Sequence, residues 1–255
     1  NLNELVTDAQ MSVTFDLTTT QFISYTKAHS ANNTIRFEYT LNDTNEVKLF
    51  TVNFAGGNSE APTLVYNNFY NANELSKTIV KDENWQLSAN KNHTSEEFKD
   101  KNGRVVLKRT YDNNVAHDTY YVYDDFGNLT YVLSPEASAN ILSGSTIVTS
   151  VLDNLGYQYK YDYRNRLVEK KLPGKAWEYI AYDKLDRPVL TQDANLQAQN
   201  KWLFTKFDAL GRVVYTGMYN STSNRTTLQS TLNGQSMLFE TKLSSAATIN
   251  GTTVY

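Results

Sequence analysis

YVYDDFGNLTYV, residues 121 to 132, reads as an alternating strand, a short Gly-containing turn and a second alternating strand. Tyr121 and Tyr123 share one face of the first strand, with Val122 on the other. Leu129, Tyr131 and Leu133 share a face of the second. Period-2 alternation on both sides of a Gly turn predicts a β-hairpin. The same grammar is written four more times, as KDKNGRVVL (Lys99 to Leu107), YDYRNRLVE (Tyr161 to Glu169), YDKLDRPVL (Tyr182 to Leu190) and FDALGRVVY (Phe207 to Tyr215).

Aligned, the copies obey one rule. An aromatic or long side chain is followed by Asp, two free positions, a special position, Arg or Asn, and then an apolar residue. The special position is Gly103, Gly127, Asn165, Asp186 and Gly211. Gly, Asn and Asp tolerate positive φ best, so the slot predicts a left-handed residue closing the turn. The leading Asp (Asp100, Asp124, Asp162, Asp183, Asp208) can accept hydrogen bonds from turn N–H groups two residues on. Catalytic use of that Asp would need a second carboxylate or a His at a fixed offset, and none recurs, so the set reads as a structural turn motif.

Successive Asp residues lie 24, 38, 21 and 25 positions apart. A period in the low twenties with one insertion marks a repeat architecture of one hairpin per unit. A single hairpin cannot bury its own aromatic face, so the copies must pair edge to edge.

YDDFGNL, YDYRNRL, YDKLDRP and FDALGRV resemble the turns of the Rhs-repeat, or YD-repeat, family, over roughly Trp85 to Gly217. The phrases HDTYYVYDDFGNLTYVLSPE and YDYRNRLVEKKLPGKAWEYIAYDKLDRPVLTQD most resemble Rhs proteins of Bacteroidota. The resemblance implies an all-β chain of antiparallel hairpins joined into a strip that spirals into a hollow shell, often around a C-terminal toxin. Teneurins are the relatives outside bacteria. It further implies a secreted or outer-surface protein exported by that phylum's outer-membrane secretion machinery. Its partners would be the remainder of its own polypeptide (further repeats and a C-terminal effector), with translocon or surface lipoprotein components. Family shells often carry a self-cleaving aspartyl site after a Pro- and Gly-containing motif near the end of the core. No stretch of this chain matches that motif, so autoproteolysis does not carry over.

The bulk numbers agree with a β protein. The 255 residues suit one large or two small domains. A composition rich in Tyr, Thr, Asn and Ser favours pleated sheet. A net charge of −3, with no basic stripe, argues against nucleic acid. No apolar run approaches bilayer length, so no membrane span is expected. Cysteine is absent, which excludes disulfides and leaves the redox compartment unread. A start at Asn1 and a strand-like Thr252-Thr253-Val254-Tyr255 read as a piece of a longer polypeptide.

Residues 1 to 95 lack the Asp turn but keep the strand grammar. Met11, Val13, Phe15 and Leu17 alternate with polar residues, as do Ile35, Phe37, Tyr39 and Leu41. Strands are also expected over Glu46 to Phe54, Thr63 to Tyr66 and Lys77 to Lys81. The region reads as a small β-sandwich ahead of the strip, or as diverged repeats. Residues 96 to 217 are the repeats, with a helical insertion at about 135 to 156. There Ser134 is the expected N-cap, Pro135 opens the helix and Gly144 is expected to stop it. Residues 218 to 255 read as a polar loop, a short helical stretch around Leu228 to Leu232 and the start of a further segment.

Chemistry has little foothold. His29, His93 and His117 are scattered, no metal-binding, P-loop, dinucleotide or nucleophile motif occurs, and no cofactor or enzymatic activity is expected. Tyr157, Tyr159, Tyr161 and Tyr163 line one strand face and could contact a glycan, but the same register recurs at Tyr121, Tyr123 and Tyr179, which favours sheet packing. Trp85, Trp177 and Trp202 read as core or strip-edge anchors. Two functions compete: a shell segment presenting an effector, and a surface adhesin.

Overall fold

A computed structural model describes residues 11–14, 24–27, 35–86, 90–240, 247–249 and 252–254, with side chains between 35 and 240. Phe15, Leu17 and Tyr255 lie outside them. The fold is all-β and antiparallel throughout the hairpin repeats, and the chain divides into two compact units, Asn1–Gln158 and Tyr159–Tyr255.

In the first unit the strands are β1 (Met11–Thr14), β2 (Ser24–Lys27), β3 (Arg36–Leu41), β4 (Lys48–Phe54), β5 (Pro62–Phe69), β6 (Ser76–Lys81), β7 (Thr94–Lys99), β8 (Val105–Asp112), β9 (Val115–Tyr123) and β10 (Leu129–Leu133). Helix α1 (Pro135–Asn140), a miniature hairpin of β11 (Leu142–Ser143) and β12 (Thr146–Ile147), and helix α2 (Thr149–Leu155) then lead to β13 (Gly156–Tyr161). The sheet order is β1-β2-β3-β6-β7-β8-β9-β10-β13, so β6 and β7 pair directly across residue 95. Hairpin β4–β5 is a separate two-stranded layer on one face of that sheet.

The core lies between these layers. Val47, Phe50 and Leu64 of the small layer meet Phe98, Leu107, Tyr120, Val122, Tyr131 and Leu133 of the sheet, with Ala137, Ile141 and Leu152 from the insertion. Phe50 and Tyr120 pack edge to face at 5.2 Å, and Tyr131 Oη donates to the Pro62 carbonyl at 2.9 Å. Phe98, Leu107 and Leu133 are fully buried, each contributing roughly 1.5–3 kcal/mol.

The insertion differs from expectation in two details. Gly144 does not stop the helix, which ends at Asn140. It sits with φ +61° in the tight turn of the β11–β12 hairpin. Ser134 occupies the cap position, but its hydroxyl makes no cap bond and faces the Leu155 carbonyl at 3.4 Å. The return of α2 onto α1 supplies that alternative acceptor, which no local rule anticipates.

In the second unit β14 (Leu167–Lys171), β15 (Glu178–Tyr182), β16 (Pro188–Gln192), β17 (Lys201–Phe207) and β18 (Val213–Asn220) pair in that order, with α3 (Ala194–Ala198) between β16 and β17. Helix α4 (Arg225–Gly234) is capped by Asn224, whose side chain accepts from Thr227 N–H at 2.9 Å. Leu228 and Leu232 cover Ala181, Leu190 and Trp202. A last small hairpin joins β19 (Ala247–Ile249) and β20 (Thr252–Val254).

Candidate functional site

The five Asp turns are one structure repeated. In each, the Asp carbonyl accepts from the special-position N–H at 2.9 to 3.2 Å, and the Asp N–H donates to the carbonyl four residues on at 2.9 to 3.0 Å. The special positions have φ of +77° (Gly103), +85° (Gly127), +60° (Asn165), +61° (Asp186) and +79° (Gly211). This is a type I turn closed by a left-handed residue and a bulge. The matching register slips occur in β7–β8, β9–β10, β15–β16 and β17–β18.

Each Asp carboxylate is hydrogen-bonded through both oxygens within its own turn. Oδ1 accepts from the backbone N–H groups two and four residues on, at 2.8 to 3.0 Å. Oδ2 accepts from the Nε of Arg104, Arg166, Arg187 and Arg212 at 2.7 to 2.8 Å, and from Asn128 Nδ2 at 3.0 Å. Asp124, Asp162 and Asp183 are buried. At least three of the roughly four acceptor sites of each carboxylate are engaged by its own turn, so its work is to hold the turn.

The same arginines join one turn to the next. Arg104 lies over the Tyr123 ring at 4.9 Å, Arg166 over Tyr182 at 4.7 Å and Arg187 over Phe207 at 4.5 Å. Each of those rings directly precedes the Asp of the following turn. Tyr123 Oη donates to the Val105 carbonyl at 3.1 Å, and Tyr182 Oη to the Leu167 carbonyl at 2.7 Å, both just after the stacked arginine. Arg166 also reaches Asp186, the next special position, at 2.7 Å. The sequence reading included Arg and the aromatic in its rule but gave them no shared task. The available signal was the aromatic immediately before Asp in four of five copies, paired with Arg after the special position in four of five.

Arg212 ends this series differently. It pairs with Asp208, yet its side chain is 74% exposed and no ring among the described residues lies over it. The Asp208 carboxyl is held below its ordinary value, chiefly by the hydrogen bond it accepts from the Arg212 N–H.

A second polar feature lies in the first unit beneath β4–β5. Glu96, on the inward face of β7, has a fully buried side chain. Lys91 pairs with it at 2.9 Å, while Lys77 stands at 3.5 Å and Arg109 at 3.7 Å. Lys77 also pairs with Glu46, and Arg109 makes a forked bond to Asp118 at 2.6 and 2.8 Å. Burial pushes the Glu96 carboxyl up, but the Lys91 bond and the Lys77 charge outweigh it and leave it below its ordinary value. Three acids balance three bases, so the cluster is an internal ionic lock. Beside it an open depression of about 480 Å³ contains Asp82, His93 and Tyr111, with His93 Nδ1 3.2 Å from Asp82. No group of three metal-capable side chains occurs among the described residues.

The other sequence candidates fall into place around these sites. Trp202 is buried in the second core. Trp85 lies beneath Lys81 at 4.2 Å, and Trp177 beneath Lys160 at 4.3 Å. Tyr157, Tyr159 and Tyr161 are half-buried, whereas Tyr163, in the Asp162 turn, is 80% exposed.

No family model and no curated protein matches the chain. Among solved structures, a chain of the TcdB2-TccC3-TEV crystal structure is similar with a TM-score of 0.44 and 13% identity, over 84% of this chain and 10% of that one. A chain of the Photorhabdus luminescens Tc holotoxin pore is similar with a TM-score of 0.44 and 11% identity, over 89% of this chain and 13% of that one. Likeness at that level carries no argument about this chain, which spans only about a tenth of either.

Proposed function

We propose that this chain is a structural segment of an Rhs/YD-type β-strip. In a larger secreted or cell-surface protein, such a strip would enclose or present a C-terminal effector. The observation that supports the reading is the turn-to-turn coupling: each Asp–Arg turn is bonded within itself, and Arg104, Arg166 and Arg187 are each roofed by the aromatic of a following turn. Such coupling serves rigidity and propagation along the strip. Export through the outer-membrane secretion machinery of Bacteroidota extends the same reading, on the sequence resemblance alone.

The adhesin alternative gains less support, because the strand-face tyrosines 157, 159 and 161 are half-buried. Intact-mass and peptide-map analysis of the natural full-length protein, recovered after export, tests the proposal. A distinct C-terminal fragment co-purifying with the repeats is the expected result. A single uncut chain that binds cells or glycans would replace the proposal with adhesion.

A further inference from the structure

We propose that the turn end of the second unit is a peripheral contact surface for an anionic lipid bilayer. Tyr163, Leu185 and Leu210 would enter the headgroup layer, and Arg164, Lys184 and Arg212 would meet lipid phosphates. This contact goes beyond the strip reading above and stands on the turns themselves.

The turn rule leaves the two positions after each Asp free, and in the second unit these hold Tyr163-Arg164, Lys184-Leu185 and Ala209-Leu210. The turn engages them through the backbone: the N–H groups of Arg164, Leu185 and Leu210 each donate to the Asp Oδ1 at 2.9 Å. The apolar side chains stand clear, with Tyr163 80%, Leu210 77% and Leu185 57% exposed. One exposed apolar residue is ordinary, but its recurrence at the tips of three successive turns marks a contact surface. The sheet order β13-β14-β15-β16-β17-β18 brings those turns to one end of the strands, two strand spacings or roughly 9–10 Å apart. Arg164 and Arg166 both reach Asp186, at 2.8 and 2.7 Å, which holds the first two tips side by side.

The unit also carries the sign that such a surface needs. Residues 159–255 hold 13 Lys and Arg against 8 Asp and Glu, a net +5, whereas residues 1–158 hold 11 against 19, a net −8. An asymmetry of that size between two parts of one chain points the basic part toward an anionic partner. At the tips Lys184 is exposed, and Arg212 is 74% exposed beyond its bond to Asp208. Leucine at two of the three tips fits acyl chains, where a single-stranded nucleic acid would call for stacking rings. Tips some 9–10 Å apart form no packed centre of the kind a protein interface is built around. A fluid headgroup layer accepts them singly, with Tyr163 at the depth where an apolar ring and a polar hydroxyl are both satisfied.

The test is co-sedimentation of the intact 255-residue chain with phosphatidylcholine vesicles holding about a third phosphatidylglycerol, at about 0.1 M salt. Saturable binding is expected, and binding to phosphatidylcholine alone should be at least about tenfold weaker. Leu185→Ser with Leu210→Ser should weaken binding to the mixed vesicles at least about tenfold. Lys184→Glu should weaken it by about tenfold, less as salt rises. These side chains are exposed, so the melting midpoints of the variants should stay within about 2 °C of the parent. The chain has no cysteine, so Leu210→Cys accepts one nitrobenzoxadiazole label. Its emission should rise and shift to the blue with mixed vesicles, while a label at Asn195→Cys, on α3 at the other end of the strands, should not respond. Absence of vesicle binding, equal binding by the double Ser variant, or an equal response at position 195 overturns the proposal. So does binding to DNA without binding to vesicles, or a dimer in sedimentation that the double Ser variant abolishes, since a nucleic acid or a second copy would then be the partner.

Discussion

At Gly127 the backbone stands at φ +85°, and a side chain there would meet only the tip of Arg104 at 3.9 Å. The obstacle to substitution is therefore conformational, not steric crowding. Gly127→Val should cost about 2 kcal/mol because a β-branched residue resists the left-handed region. Gly127→Asn should cost well under half of that, since Asn165 adopts φ +60° at the equivalent slot. Thermal melts of the two variants check this, and equal midpoints would sink the left-handed reading. Asp208 gives the pH test. Its folded-state value is depressed below 3.8. Its contribution is therefore fully present above the unfolded value and is lost as pH falls through the lower folded one. The Tm gap between wild type and Asp208→Ala should be flat above roughly pH 5 and close below roughly pH 4. A gap that persists unchanged to roughly pH 2 contradicts the bond pattern.

Among elements, α4 does more than cover a face. Gln229 accepts from the Tyr182 N–H at 2.9 Å and donates to the Tyr182 carbonyl at 2.8 Å, at the residue where β15 slips register against β16. The carboxamide thus supplies the helix-side partner of a bulged peptide. Gln229→Ala should destabilise by about 1–3 kcal/mol, because two partly buried backbone groups lose their mate. Hydrogen exchange at the Tyr182 amide should accelerate with it, and an unchanged exchange rate would show that the bond carries no weight. The neighbouring pair of Arg225, buried at the start of α4, with Glu169 of β14 at 3.1 Å ties the same helix to a second strand.

Across the molecule, stability of each unit should spread through its repeats by nearest-neighbour terms, as in other repeat arrays. The Arg166–Tyr182 contact is such a term in the second unit, joining the Asp162 turn to the Asp183 turn. A double-mutant cycle with Arg166→Ala and Tyr182→Ala should return a coupling of about 0.5–2 kcal/mol. A coupling indistinguishable from zero would reduce the stack to a by-product of the turns. In the first unit the ionic lock sets a different dependence: Glu96→Gln should cost about 3–5 kcal/mol by leaving Lys77, Lys91 and Arg109 short of a buried counter-charge. Urea titration reads that loss.

The sequence by itself determined the hairpins, the turn residues and the single insertion, because alternation and positive-φ tolerance act within a few residues of one another. Asp124, Gly127 and their equivalents could be placed from local rules alone. What only the tertiary structure decided is non-local. The covering layer of β4–β5, the burial of Glu96 in a strand that reads as polar, the switch of Gly144 from helix stop to hairpin turn, and the roofing of Arg104, Arg166 and Arg187 by rings some twenty residues away all depend on which strand edges meet. Those meetings are selected by packing and charge pairing in three dimensions, and they leave only a faint trace in the order of residues along the chain.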